Sequence, residues 1–145
     1  MIVILCFTDT NLLVYARDKS NPVKQQQAKK WLTALWQSQQ GRLSTQVLNE
    51  FYVVVTQKLH VDKAIARAEV QDFMRWQPIA IDSDVIEKAW TVQDVFQFSW
   101  WDSLIVASAQ QSNCQYLLTE DLQHNQQLDS VKVINPFFVL PQEIL

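Results

Sequence analysis

Four acidic residues occupy positions from which they could do chemistry. Asp9 follows the apolar run M-I-V-I-L-C-F and opens T-D-T-N-L-L-V-Y; Glu50 lies in Q-V-L-N-E-F, Asp102 in S-W-W-D-S-L-I-V-A and Asp121 in Y-L-L-T-E-D. Taken singly, each has an ordinary role open to it. Asp9 or Thr10 can cap a helix, Ser99 and Asp102 have capping-box-like spacing, and Thr119 can cap the turn that follows it. Glu50 is too far into its helix to cap anything. On a helical wheel it falls roughly 120° from the centre of the apolar arc, beside Val54, where a surface ion pair is its ordinary explanation.

Gathered in one place, the same acids mean something else. Carboxylates about 4 Å apart repel by on the order of 4 kcal/mol per pair at an effective dielectric of 20, so such a cluster makes sense around a hard cation. Mg²⁺ or Mn²⁺ takes oxygen ligands in octahedral geometry and keeps several waters. One or two such ions activate a water and stabilise the leaving oxygen in phosphodiester hydrolysis. Thr10, Asn11 and Thr119 are placed to orient those carboxylates or waters by hydrogen bonding.

The elements around the acids decide whether they meet. Ile2–Phe7 is a short, β-branched apolar run that predicts a strand buried on both faces. Leu12, Leu13 and Ala16 then recur at helical spacing. Asn21-Pro22 opens a second helix, with Ala28, Trp31, Leu32, Leu35 and Trp36 on one face, ending near Gly41. Arg42–Thr45 predicts a strand, Thr45–Leu59 a helix, Asp62–Trp76 a helix and Pro78–Ile81 a strand. Asp82 or Ser83 caps a helix through about Phe96, Ser99 caps another through about Ser112, and Tyr116–Thr119 and Val131–Ile134 are strands. Alternating helices and short apolar strands predict an α/β fold, with a mostly parallel sheet of four to five strands and helices on both faces. Ligands collect outside the carboxyl ends of such strands, where Asp9 and Asp121 both emerge.

Composition narrows the function further. The 145 residues make one domain over 1–145, with 48% hydrophobic residues, six Trp and seven Phe to fill its core. The single glycine, Gly41, leaves no glycine-rich phosphate loop. Cys6 and Cys114 provide no disulfide framework and predict free, buried thiols in a cytoplasmic protein. Met1–Phe7 is too short to span a membrane and lacks the flanks of an export signal. A formal charge of −3 means that any nucleic-acid role must rest on a local patch, a metal or a partner. Lys24, Lys29, Lys30, Arg42 and Lys58 are the basic residues to consider for RNA contacts, and Arg17 is the one near the acids. Trp100 and Trp101 precede Asp102 directly; core packing is the favoured role for the pair, and stacking on RNA bases the alternative. His60 and His124 lack a zinc-ligand spacing; His124 lies near Asp121, where facing a phosphate is the role open to it.

Five stretches carry a family resemblance: F-T-D-T-N-L-L-V-Y-A (7–16), S-T-Q-V-L-N-E-F (44–51), W-D-S-L-I-V-A-S-A (101–109), C-Q-Y-L-L-T-E-D-L-Q-H (114–124) and V-I-N-P-F (133–137). They resemble the PIN domain, and within it the VapC-type toxin ribonucleases of bacterial toxin–antitoxin pairs. The resemblance implies a PIN-like three-layer sandwich in which Asp9, Glu50, Asp102 and Asp121 take the acidic quartet and Thr119 the hydroxyl position two before the last Asp. Glu120, beside Asp121, competes for the fourth place. The implied activity is Mg²⁺- or Mn²⁺-dependent endonucleolytic cleavage of RNA by a homodimeric toxin, inhibited by a small cognate antitoxin. Two readings compete with it: a PIN-like module that has lost catalysis and binds RNA or protein, and a metal-dependent DNA nuclease or phosphatase. The presence of all four acids favours an enzyme, whereas RNA and DNA are told apart only by contacts to the 2′-hydroxyl.

Overall fold

The computed structural model describes residues 3–145. Helices and strands alternate along the chain. β1 (Cys6–Thr8) leads into α1 (Thr10–Tyr15) and α2 (Pro22–Ser38), and β2 (Gly41–Arg42) into α3 (Thr45–Gln57) and α4 (Lys63–Phe73). A 3₁₀ turn, Met74–Trp76, extends α4. Then come α5 (Ser83–Phe96), α6 (Trp100–Gln111), β3 (Tyr116–Leu118), β4 (Gln127–Leu128), β5 (Val131–Ile134) and a 3₁₀ turn at Pro141–Glu143. Helix starts follow their capping residues: Asn21, Ser44, Asp82 and Ser99 each accept a backbone N–H from the first turn.

The five strands form one sheet in the order β2-β1-β3-β5-β4. β2, β1, β3 and β5 run parallel, and β4 pairs antiparallel with β5. Cys6, Phe7 and Thr8 have no exposed surface although their side chains alternate between faces, so the centre of the sheet is covered on both sides. This is the α/β architecture the sequence predicts. The β1–β3 register opposes Thr8 to Leu118, so Asp9 and Thr119 leave the sheet side by side. The Asp9 N–H donates to the Leu118 carbonyl at 3.1 Å and extends that pairing by one step.

Several boundaries differ from expectation. β1 occupies Cys6–Thr8 rather than Ile2–Phe7, and Ile2 lies outside the described residues. Pro78–Ile81 is not a strand; it makes one parallel bridge, Ser44 to Ile79, because it follows a left-handed residue and begins with a proline that has no N–H to give. The predicted strand at Arg42–Thr45 is shorter and earlier, since Ser44 is committed to capping α3. β4 has no counterpart among the predicted elements.

Gly41 does not end α2. That helix stops at Ser38, where Gln39 takes the left-handed conformation at φ 59°. The glycine sits in β2 because a Cβ there would lie 2.6 Å from the Trp76 ring. Trp76 in turn packs with Trp36 and Phe73, each at a centroid distance of 5.0 Å. Trp31 is fully buried, and its indole N–H donates to the Pro136 carbonyl at 2.8 Å, fastening α2 to the C-terminal segment. Cys6 and Cys114 are free and buried, and burial pushes both thiols up to about 12, far from a reactive thiolate. Among the described residues no helix is long and apolar enough to cross a membrane.

Candidate active site

The carboxyl ends of β1 and β3 open onto a cleft of about 430 Å³, and Asp9, Glu50, Asp102 and Asp121 all line it. Asp9 performs the capping role and the cleft role together. Its Oδ1 accepts the Thr10 N–H at 2.7 Å as the N-cap of α1. Its Oδ2 accepts the Thr119 hydroxyl at 2.8 Å. The cap is therefore Asp9 and not Thr10. Thr119 also shapes the turn after β3, where its side-chain oxygen accepts the Asp121 N–H at 3.1 Å.

The two residues after Asp9 reach the other acids. The Thr10 hydroxyl donates to Glu50 Oε2 at 2.7 Å, and Asn11 Nδ2 donates to Asp121 Oδ2 at 3.1 Å. On α3, Gln46 lies one turn before Glu50 and donates to its Oε1 at 3.0 Å, an i,i+4 pair. Among the described residues no cation pairs with Glu50, so its surface ion-pair explanation fails. Asp102 stands in the first turn of α6, where Ser99 Oγ accepts its N–H at 3.2 Å.

Glu120 faces elsewhere. Its carboxylate accepts the Tyr15 hydroxyl and pairs with Lys24 Nζ, both at 2.6 Å, and it does not line the cleft. Asp121 is therefore the acid that the loop delivers. Arg17 does not reach the cleft either; it pairs with Glu69 of α4, tying the end of α1 to that helix. His124 Nδ1 accepts the Asn135 N–H at 2.9 Å and its ring packs edge-on against Phe138, which makes it a fastening between loops.

The core-packing expectation holds for Trp100, which packs half-buried against the core, and fails for Trp101, which is 63% exposed at the rim of the cleft. The physical cause is its place at the helix start: α6 is buried at every position from Ser103 to Gln110, and Trp101, on the same face as Leu104 and Ile105 but one turn earlier, stands beyond that packing. Gln46 and Asn49, absent from the sequence-based candidates, also line the cleft. Their signal was their place one turn and one residue before Glu50. A larger cavity, about 710 Å³, lies between α2 and the C-terminal turn and is lined by no Asp or Glu side chain.

The electrostatics report burial first and the neighbouring acids second. Burial pushes the Asp9 carboxyl up to about 7; the Thr119 hydroxyl and the Thr10 N–H oppose this, and the Asp121 carboxylate adds to it. Burial also raises Asp102, against the Ser99 hydroxyl and with help from Asp121 and Glu50. Among the described residues, no three carboxylate, imidazole or thiol groups converge tightly enough to cage a cation unaided. The donor set is all carboxylate oxygen, with hydroxyl and amide donors holding it in place. That chemistry fits a hard cation that keeps several of its own waters.

Known proteins share this fold. The VapC20 toxin of Mycobacterium tuberculosis, described as cleaving the sarcin–ricin loop, superposes with a TM-score of 0.63 at 19% identity, over 80% of this chain and 89% of that one. A toxin–antitoxin complex from Klebsiella pneumoniae gives 0.64 at 20%, and a DNA-bound VapBC from Salmonella typhimurium 0.62 at 12%, each over 90% of this chain and 97% of that one. No curated protein matches the sequence. The profile of the PIN domain matches residues 6–127, which include every acid of the cleft. The chain therefore belongs to the PIN domain family.

Proposed function

We propose that this protein is a divalent-metal-dependent endoribonuclease, the toxin of a type II toxin–antitoxin pair acting in the cytoplasm. The observation that carries the reading is the meeting of Asp9, Glu50, Asp102 and Asp121 in one cleft at the strand ends of a PIN fold. These four residues would hold one or two Mg²⁺ or Mn²⁺ ions, whose chemistry is to activate a water and neutralise charge at a phosphodiester.

The chain's own residues supply the aiming. Each acid but Asp102 is held through its side chain by neutral donors: Asp9 by Thr119 and the Thr10 N–H, Glu50 by Thr10 and Gln46, Asp121 by Asn11. Asp102 is fixed by its helix. Neutral donors orient a carboxylate without cancelling its charge, which leaves that charge available for a cation. In this reading a small cognate antitoxin silences the enzyme by covering the cleft, and the active toxin is a homodimer.

The test is cleavage of a pool of cellular RNAs by the purified protein freed of any partner, with Mg²⁺ or Mn²⁺, beside Asp9→Asn and Asp102→Asn. Cleavage is expected from the natural chain alone, and to stop on chelation. Cleavage that survives chelation, or that both variants keep, would sink the mechanism.

A further inference from the structure

Trp101 stands where two cavities meet. The acidic cleft and a second cavity of about 490 Å³ share Gln46, Asn49, Glu50 and Trp101 as a common wall. The second cavity adds Thr45, Ile81 and Leu104, and Glu50 is the one ionisable side chain lining it. An indole 63% exposed is a large apolar surface to leave in water, one residue from an acid of the cleft. Its backbone is set by α6, and its carbonyl accepts Gln46 Nε2 at 3.5 Å. The backbone that carries the indole is thus fixed before any ligand arrives, so stacking costs only side-chain freedom.

The shared wall is also polar in one respect. Gln46 spends its amide nitrogen on Glu50 and on Trp101, while its Oε1 is buried with no donor. A ligand suited to these walls has a flat aromatic face for the indole, Ile81 and Leu104, a polar edge for the exposed amide of Asn49, and an anionic group at the neighbouring acids proposed to hold metal. A nucleotide has all three. We propose that Trp101 forms a nucleobase subsite, in which the base next to the scissile phosphodiester stacks on the indole in the second cavity. The proposal rests on the nuclease reading above. A nucleobase rather than a peptide is favoured by continuity with the cleft: one wall serves both cavities, so phosphate and base of a single nucleotide span it.

The experiment measures binding of fluorescein-labelled single-stranded RNA 10-mers of random sequence in Mg²⁺, on an Asp102→Asn background that stops cleavage. Trp101, Trp101→Phe and Trp101→Ala are compared, and each is also titrated with an abasic ribose-phosphate 10-mer. Loss of one stacked base weakens binding roughly 5- to 150-fold. The alanine variant should lose that much on RNA and little on the abasic strand, the phenylalanine variant should recover most of it, and the salt dependence should stay unchanged because no phosphate contact is removed. Equal affinity of the alanine variant, or an equal loss on the abasic strand, overturns the subsite. So does a variant that binds RNA normally but no longer binds an antitoxin, which would make the indole a protein contact. If the natural chain neither binds nor cleaves any RNA, the nuclease reading falls and the subsite with it; if it cleaves and Trp101→Ala changes nothing, the subsite alone fails.

Discussion

Glu120 and Asp121 are adjacent in the chain and belong to two different electrostatic worlds. Glu120 is paired with Lys24 and bonded to Tyr15, and Lys24 also lies over the Tyr15 and Phe137 rings at 4.8 and 4.9 Å. Asp121 receives a neutral amide from Asn11 and shares the cleft with three other acids. The division runs along α1 and just beyond it. Thr10 and Asn11 serve the cleft acids, while Tyr15 and Arg17 serve Glu120 and Glu69. Glu69 and Glu120, which tie elements together, have been given cations, and the acids of the cleft accept hydrogen bonds from neutral donors only. A carboxylate kept charged and uncompensated costs stability, a cost that the cation proposed above would relieve.

The largest effect that tests this contrast is on activity. Asp9→Asn should lower RNA cleavage by about 10²- to 10³-fold or more, the scale for removing one group that stabilises the transition state, while raising the melting temperature of the metal-free protein. The same variant should flatten a pH dependence. Asp9 is held up to about 7 against an ordinary 3.8, so the folded protein binds this proton more tightly than the unfolded chain does. Metal-free stability should therefore fall as pH rises from 3.8 through about 7 and level off above it. A thermal melt series in chelator that shows no such fall would contradict the raised Asp9.

Next in size is the exchange between neighbours. Asp121→Asn should abolish cleavage and leave the metal-free fold unharmed or firmer. Glu120→Gln should cost about 1.5–3 kcal/mol, the range for hydrogen bonds to a charged group, and retain measurable cleavage below its lowered melting temperature. The reverse pattern, read by urea melts and a cleavage assay side by side, would move the fourth acid to Glu120. Thr119→Val comes third. It removes the hydroxyl on Asp9 and the acceptor for the Asp121 N–H, so about 1–3 kcal/mol should be lost near neutral pH and less at acid pH, where Asp9 is protonated. Arg17→Met should do least. Its pair with Glu69 is partly exposed, so a loss of under about 1 kcal/mol is expected, with RNA affinity unchanged. A clear fall in affinity and in salt slope would return Arg17 to the substrate.

Much of the fold is legible in the order of residues. Hydrophobic period, capping residues and alternating short apolar runs mark most helices and the parallel core, because these are local signals backed by burial. β4 is not legible: two residues in a tight hairpin, turned by Asp129 at φ 56°, carry no period. Pro78–Ile81 reads as a strand because an apolar run has no memory of the residue before it, here left-handed Gln77. Trp101 misleads for a related reason. Aromatic residues usually fill cores, and only the packing of α6, buried from Ser103 onward, shows that this one does not.

Residue identity alone established which acids are available, that helices and strands alternate, and that strand ends gather Asp9 and Asp121. It left open whether Asp9 is a cap or a site residue, which of Glu120 and Asp121 faces the cleft, and what the tryptophans do. Three-dimensional packing decided all three, because each depends on direction rather than identity. Asp9 has two oxygens and serves two masters; a one-residue step along the loop after β3 turns one carboxylate to Lys24 and the next to the cleft; and a helix places neighbouring indoles about 100° apart, one half-buried against the core and the other in water.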